Sequence, residues 1–284
     1  MLDRPASLQD VKMKKLLLLT VAGLISFTIR SLIIAQVKEV YVMKRIESID
    51  QAIQKDLNSL PNQPIIHAMI EKRNLSDFFS TEPQKYVLIK RNAAYTVLAG
   101  ELDESALKHV SDLLNTYDQI KLDCDEQYHH WFLKNGYKLC PRIELEYTAK
   151  NIELPQPKNN FILKNIDAAI FAKCSWRDFI SLLYGSSELF LHNGFGVALT
   201  DNELVIGEAY AACIGNGFCE VGIVTHPDYR GQGIATQVAA ALIKQCLDRQ
   251  LIPMWSCDSE NPASLKVALK LGFVVKRYYA YLKK

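Results

Sequence analysis

Apolar and polar residues along this chain follow two spacings, one typical of helices and one typical of strands. After residue 233, Ile234, Val238 and Leu242 fall on one helical stripe, which predicts an amphipathic helix. The stretch before it carries few charges and predicts a buried strand over 218–225. Further strands are predicted at residues 161–163, 195–199 and 204–213, and helices around 166–173 and 176–184. This alternation predicts an α/β fold with a mixed central sheet.

The first half of the chain shows the same mixture of spacings. Residues 46–80 have helical spacing that is interrupted by Pro61 and Pro64. The remaining elements predicted for this half are strands at 86–90, 95–99 and 119–122, helices at 103–115 and 125–134, and an extended run over 137–147.

A glycine followed by an aromatic residue ends a predicted helix in both halves. Gly136-Tyr137 and Gly272-Phe273 each open a predicted strand. We therefore predict that residues 43–150 form a lobe that is a degenerate copy of the domain at 161–284. Chance use of glycine as a helix stop explains the similarity equally well. Residues 151–160 are polar and contain prolines, which predicts a linker between the two.

Residues 1–42 form a separate N-terminal segment, because residues 16–34 are almost wholly apolar. At about 1.5 Å per residue, a helix over this stretch is about 28 Å long, close to the hydrocarbon thickness of a bilayer. Positive charges flank it on both sides, so its orientation stays open. Three interpretations remain: a membrane anchor, a cleaved export signal, or a working chain that starts at Met43.

Composition and charge exclude several classes of protein. Hydrophobic residues make up 49% of the 284 residues, which indicates a packed core and not a disordered chain. A formal net charge of +2 gives no reason to expect a nucleic-acid partner. The seven cysteines lack metal-ligand spacing, so they predict reduced thiols and no metal site. Nothing in the composition indicates an oligomeric state.

The stretch at 219–236 carries the clearest chemical pattern. A predicted strand ends at Thr225, a turn containing Gly231 and Gly233 follows, and a helix begins. Glycines allow a ligand to approach the backbone closely, and the first turn of a helix offers unpaired N–H groups and a positive dipole end. This combination predicts an anion-binding turn suited to a pyrophosphate.

The order of motifs in the second half identifies a family. Arg230-x-x-Gly233-x-Ala235 resembles the acetyl-CoA signature of the GNAT superfamily of N-acetyltransferases. Trp255, Asn261 and Gly272-Phe273 follow in the order that the family shows, and the chain is similar to bacterial GNAT proteins with an extra N-terminal domain. The resemblance implies a GNAT fold, an α/β domain with a mixed sheet, together with a GNAT-like N-terminal lobe.

The resemblance also implies acetyl-CoA as co-substrate and assigns residues to it. Backbone groups at the end of the predicted strand, from Ile223 to Thr225, would pair with the pantetheine arm, and those from Gly231 to Thr236 would hold the pyrophosphate. Arg230 alternatively only fixes the turn, and Asn261 alternatively only caps a helix. The cofactor residues so implied are Ile223, Val224, Thr225, Arg230, Gly231, Gln232, Gly233, Ile234, Ala235, Thr236, Asn261 and Ser264.

Acetyl transfer to an amine needs a group that accepts a proton and a group that assists the leaving thiolate. Glu220 is the predicted base, although an exposed strand carboxylate is an equally good interpretation. The tyrosine that many relatives carry in the last helix is replaced here by Ala268. Tyr278, Tyr279 and Tyr281 of the last predicted strand are candidates to replace it, of which we assign Tyr278 and Tyr281, and ordinary strand packing is the alternative.

Taken together, the sequence predicts an acetyl-CoA-dependent N-acetyltransferase that acts on an amine of a small molecule. The acceptor itself stays open. A GNAT-fold protein that binds acetyl-CoA as a sensor or partner module is the alternative. Because acetyl-CoA is a cytosolic cofactor, we expect the catalytic domain in the cytoplasm, whether or not residues 16–34 attach it to a membrane.

Overall fold

The computed structural model describes residues 43–71, 76–81, 84–91, 95–117, 119–155 and 161–284. Its first half contains β1 (Lys44–Arg45), α1 (Gln51–Ser59), α2 (Gln63–Ile70), β2 (Ser76–Ser80), β3 (Tyr86–Arg91), β4 (Tyr95–Gly100), α3 (Glu104–Leu114), β5 (Lys121–Cys124), α4 (His129–Lys134) and β6 (Lys138–Tyr147). The second half contains β7 (Ile162–Asn165), α5 (Ala168–Phe171), α6 (Arg177–Tyr184), α7 (Ser187–Asn193), β8 (Gly196–Asp201), β9 (Leu204–Gly215), β10 (Phe218–Thr225), α8 (Ile234–Asp248), β11 (Ile252–Asp258), α9 (Pro262–Leu271) and β12 (Phe273–Lys283).

All of these strands belong to one mixed sheet of twelve strands, so the predicted α/β fold is confirmed. The strand order is β1-β2-β3-β4-β5-β12-β6-β11-β10-β9-β8-β7. The C-terminal strand β12 therefore lies between β5 and β6, both from the first half, and β6 lies against β11 of the second half. The two halves are joined in one sheet by this exchange, and residues 43–284 form one compact unit. A division into lobes at 43–150 and 161–284 stays a prediction.

The core of the second half lies between the sheet and α8. Val238, Leu242 and Cys246, on the stripe predicted from sequence, are fully buried. Gly207 on β9 permits this packing, because a Cβ at that position would lie 2.3 Å from the Cγ2 atom of Ile234. Burial of each large aliphatic side chain contributes about 1.5–3 kcal/mol, so this helix is anchored firmly to the strands it follows.

The helix predicted over 46–80 is only partly correct. Two helices, α1 and α2, are present, but Ser76–Ser80 forms β2 and pairs antiparallel with β3. Phe78 of this strand is buried in a core cluster with Val87 and Ile89 of β3, so tertiary pairing overrides the local helical spacing. Sequence reasoning also missed α7, which Ser186 caps by accepting a hydrogen bond from the Leu189 N–H at 3.2 Å.

Several predictions on the ends and links of the chain fall outside the described part. Residues 16–34 and 156–160 are not described, so neither the apolar segment nor most of the linker is tested. None of the described helices is both long enough and apolar enough to cross a membrane. The seven cysteines lie in the described part of the chain, and none of them forms a disulfide bond there.

Candidate active site

Strands β10 and β11 separate partway along their length. β10 pairs antiparallel with β9 from Phe218 to Thr225, with an irregularity between Glu220 and Val221. Its parallel pairing with β11 covers only Phe218, Cys219 and Glu220. Beyond Glu220, one backbone edge of β10 therefore faces a gap in the ladder, and this edge contains the predicted cofactor residues Ile223, Val224 and Thr225.

The glycine turn lies directly after this edge. Gly231 and Gly233 have φ angles of +77° and +81°, a left-handed conformation that favours glycine. A Cβ at either position would meet nothing within 4 Å, so open space borders the turn. The first N–H bonded within α8 is that of Gln237, which donates to the Gly233 carbonyl at 3.2 Å. The N–H groups of Ile234, Ala235 and Thr236 precede it, as in every helix N-terminus, and are free to bind an anion.

Asn261 and Ser264 stand at the start of α9, beside β11. The Asn261 side chain accepts a hydrogen bond from the Ser264 N–H at 3.1 Å, so it caps the helix. The Ser264 hydroxyl accepts a hydrogen bond from the buried Trp255 indole at 3.0 Å. Both residues also border the cavity described next, so capping does not remove them from the candidate site.

A cavity of about 350 Å³ opens beside the separated strands. One wall is apolar and comes from α6 and the turn before it, with Trp176, Phe179 and Leu183. β10 and β11 also contribute lining residues. The remaining side chains include Asn62, Ile65, Tyr95, Lys121 and Arg142 of the first half, and Tyr279 and Tyr281 of β12.

Glu220 lines this cavity at the point where β10 and β11 begin to separate. Burial raises the pKa of its carboxyl group to about 7, and the negative charge of Glu144 acts in the same direction. The positive charge of Arg142 opposes both. A carboxyl group with this pKa exchanges a proton readily near neutral pH.

A chain of hydrogen bonds runs along the base of the cavity. Arg142 donates to the Ser256 hydroxyl at 2.8 Å, and Tyr279 donates to the Asn62 side-chain oxygen at 2.8 Å. Since the Tyr279 hydrogen is used there, the 2.8 Å contact between Ser256 and Tyr279 has Ser256 as donor. Asn62 then donates to a carboxylate oxygen of Asp123 at 2.7 Å. These hydrogen bonds link side chains of both halves of the protein.

Asp123 is the buried end of this series of hydrogen bonds. Only 1% of its surface is exposed, and Tyr95 and Asn62 both donate to its Oδ2 atom. Burial raises the pKa of this carboxyl group to about 6, even though both hydrogen bonds favour its charged form. Nearby, the equally buried Glu144 accepts the Asn62 N–H at 2.9 Å and pairs with Arg277 at 2.8 Å.

The structure separates the two tyrosines predicted to be catalytic. Tyr278 is 72% exposed and does not line the cavity, because it lies on the opposite face of β12 from Tyr279 and Tyr281. The prediction for Tyr278 does not fit this geometry. Tyr281 lines the cavity, and burial raises its pKa to about 12. Ala268 is fully buried in the core of the second half.

Sequence reasoning missed the contribution of the first half. Asn62, Tyr95, Lys121 and Arg142 come from four separate elements or turns, and no local motif connects them. Only the insertion of β12 between β5 and β6 brings them to the site. The apolar wall at Trp176 also has no distinctive sequence signal, because an aromatic residue before a short helix is common in ordinary cores.

Comparison with known proteins identifies the fold and family. A model of the GNAT acetyltransferase family matches residues 63–282. Among curated proteins, the Uncharacterized N-acetyltransferase YdfB of Bacillus subtilis (strain 168) is 34% identical over 156 residues, which are 52% of this chain and 59% of that protein. The match thus spans less than two thirds of that relative.

Solved structures agree on the fold. A GCN5-related N-acetyltransferase-like protein from Streptococcus suis 89/1591 has a TM-score of 0.66 and 23% identity, over 82% of this chain and 97% of that one. A tandem GNAT protein from the clavulanic acid biosynthesis pathway has a TM-score of 0.59 and 11% identity, over 85% and 97% of the two chains. Since the family model spans well over half of the sequence, this chain belongs to the GNAT acetyltransferase family.

Proposed function

We propose that this protein transfers the acetyl group of acetyl-CoA to the amine of a small molecule. The observation that carries the proposal is the position of Glu220, a carboxyl group in a cavity, at the point where β10 and β11 separate. A cavity of about 350 Å³ suits a small acceptor.

The turn before α8 fits the cofactor. Open space beside Gly231 and Gly233 can receive a pyrophosphate, and the N–H groups of Ile234, Ala235 and Thr236 can bind it. The free edge at Ile223, Val224 and Thr225 can pair with the pantetheine arm as an added strand does. When bound, acetyl-CoA supplies the activated thioester.

The remaining predicted cofactor residues surround this path. Arg230 and Gln232 flank Gly231 in the turn, and Asn261 and Ser264 border the cavity on the side of β11. We propose that Arg230 neutralises phosphate charge and that the Asn261 amide, whose oxygen caps α9, offers its N–H₂ group to the cofactor.

Glu220 then serves as the base for the acceptor. An alkylammonium with a pKa near 10.4 must lose its proton, which costs about 4.6 kcal/mol at pH 7. With its pKa raised to about 7, Glu220 accepts this proton far more readily than a carboxylate with an ordinary pKa of about 4.3.

Ala268 cannot provide a proton to the leaving thiolate. Tyr281 lines the cavity, but its ring, on β12, lies beside Lys121 and Arg142 and three strand positions from Glu220 on β10, so we propose that the thiolate leaves without a proton from this tyrosine. Tyr279 lines the cavity as well, but its hydrogen is committed to Asn62.

A second candidate function is binding of acetyl-CoA without turnover, as a sensor. The observation that favours it is the buried Ala268 in place of the usual tyrosine. Release of CoA thiol from acetyl-CoA, measured over a panel of primary amines, tests both candidates. We expect amine-dependent release; tight binding of acetyl-CoA with no release for any amine would favour the sensor.

The first half of the chain lacks the glycine turn that the second half carries. We propose that residues 43–150 are a GNAT-like lobe that builds the acceptor side of the cavity and binds no acetyl-CoA of its own. The tandem arrangement named for the clavulanic acid pathway protein supports this interpretation.

A further inference from the structure

Two cations flank the ring of Tyr281 inside the cavity. The Lys121 ammonium lies 5.8 Å from the centroid of the ring, and the Arg142 guanidinium carbon lies 5.9 Å from it. Lys121 and Arg142 both line the cavity, and both are partly buried. They belong to β5 and β6, so β12 alone separates their strands.

The two cations differ in their acidic partners. Arg142 pairs with Asp258 at 2.6 Å, and its charge also acts on the buried carboxyl groups of Asp123 and Glu220. In the described part of the chain, no acidic side chain forms an ion pair with Lys121. Burial lowers the pKa of Lys121, and the charges of Arg142 and Lys283 lower it further, while Asp258 opposes them. A bound anion would relieve this repulsion.

We propose that the acceptor amine carries an anionic group, a carboxylate or a phosphate, that binds between Lys121 and Arg142 beside Tyr281. The inference rests on the proposed function, because it places the amine at Glu220. Arg142 keeps two N–H groups beyond those given to Ser256 and Asp258, and Lys121 offers three, so the pair has donors for two anionic oxygens.

The sheet sets the length of this acceptor. Glu220 lies on β10 and Arg142 on β6, with β11 between them. Two strand spacings amount to about 10 Å across the sheet, and the register adds four residues, about 13 Å, along it, because Glu220 pairs with Met254 of β11 and Arg142 with Asp258. The amine and the anion must therefore be several carbon atoms apart. The apolar wall of Trp176, Phe179 and Leu183 suits the methylene groups between them. An ω-amino acid fits this arrangement, whereas an α-amino acid is too short.

Matched acceptors test the proposal. We would compare kcat/KM for 6-aminohexanoate, its methyl ester, hexylamine and 6-aminohexyl phosphate. We expect at least a tenfold preference for the charged acceptors, which is about 1.4 kcal/mol. The carboxylate and phosphate arms show which anion the site prefers.

Lys121→Gln identifies the site. This variant is expected to reduce the preference for charged acceptors to less than threefold. Lys283→Gln is the matched control, because Lys283 lies directly across from Lys121 on β12 but does not line the cavity. It should keep the full preference. A wild-type protein that acetylates charged and uncharged acceptors equally, or a preference that survives in Lys121→Gln, would overturn the inference and leave the proposed function intact.

Binding without turnover separates the two proposals. If no amine releases CoA, the proposed function fails, and calorimetry of 6-aminohexanoate against hexylamine in the presence of CoA decides the inference. Tighter binding of 6-aminohexanoate that Lys121→Gln removes and Lys283→Gln keeps would support the anion site. Equal affinities would overturn it.

Discussion

At the scale of single residues, Glu220 carries the proposed chemistry. Glu220→Gln keeps the shape of the side chain but cannot accept a proton, so we expect kcat to fall about 100-fold or more. Acetyl-CoA affinity should stay within about twofold, because the predicted cofactor contacts lie elsewhere. Steady-state kinetics and calorimetry measure the two effects.

The pH profile gives an independent check of this role. Because the pKa of Glu220 is raised to about 7, wild-type kcat/KM should rise as pH increases through 7 and the carboxyl group ionises. This rise in kcat/KM near pH 7 should be absent in Glu220→Gln. The ionisation of the acceptor amine should still affect kcat/KM at higher pH in both proteins. The same rise in kcat/KM near pH 7 in wild type and Glu220→Gln would show that another group is the base.

Asp123 makes a prediction about stability. Its pKa is raised to about 6 in the folded protein from about 3.8, so the folded state keeps a proton that the unfolded chain has lost. The free energy of unfolding therefore falls as pH rises through this window, by about 2 kcal/mol between pH 4 and pH 7.5 from this group alone.

The comparison with Asp123→Asn isolates that contribution. Urea unfolding at both pH values should show a fall in unfolding free energy that is about 2 kcal/mol smaller in the variant than in the wild type. The same urea unfolding at both pH values in Glu220→Gln measures the contribution of Glu220, the second carboxyl group with a raised pKa. An equal pH dependence in wild type and Asp123→Asn would contradict the buried, proton-holding carboxyl group.

Residues of the site were predictable only where a local motif marks them. Gly231 and Gly233 were found because a left-handed turn before a helix needs glycine at fixed spacing. Tyr278 was chosen over Tyr279 because sequence alone does not tell which face of β12 points into a cavity. Asn62 and Arg142 carry no local signal, since their role arises from side chains far along the chain.

At the scale of elements, the turn before α8 is the feature to test. Gly233→Val forces a branched side chain into a left-handed conformation and into the open space that the pyrophosphate would occupy. We expect acetyl-CoA affinity to fall at least about tenfold, since each lost charge-assisted hydrogen bond contributes about 1.5–3 kcal/mol. Calorimetry with acetyl-CoA measures the loss.

Gly217→Val controls for backbone strain. Gly217 has a φ of +77° and open space around its missing Cβ, as Gly233 does, but it lies in the turn before β10, at the other end of that strand. Both variants should lose about 1–2 kcal/mol of stability. Only Gly233→Val should lose acetyl-CoA; equal affinities in the two variants would contradict the pyrophosphate site.

Elements with strong local signals were predicted well, and those made by pairing were not. α3 lies within the predicted helix at 103–115, where Asp103 caps it by accepting the Ala106 N–H at 2.8 Å, and β10 matches its predicted bounds. β2 was mistaken for helix, because its pairing partner β3 determines its conformation. The separation of β10 from β11 is a property of two strands and has no signature in either one.

At the scale of the whole molecule, the exchange of β12 makes each half dependent on the other. Without the first half, β11 and β12 lose their pairing with β6, and β12 also loses β5. We therefore expect a fragment of residues 161–284, expressed alone, to aggregate or remain unfolded. Circular dichroism and gel filtration would show this.

Cleavage of the intact protein is the matching control. A protease site placed within residues 156–160 cuts the chain between the two halves without removing a described strand. The two pieces should stay together in gel filtration and unfold in one transition, because the shared sheet holds them. A soluble, folded fragment of 161–284 would show that the second half is independent.

The position of β12 also has a consequence for synthesis on the ribosome. Its place between β5 and β6 is filled by Phe273–Lys283, which are translated only after β7 to β11. At about 5–20 residues per second, β6 waits on the order of 10 s for this partner. During that interval the nascent chain exposes unpaired strand edges. Translation must therefore pass β12 before the first half can complete its sheet, and the nascent chain before that point is the form that most needs a chaperone.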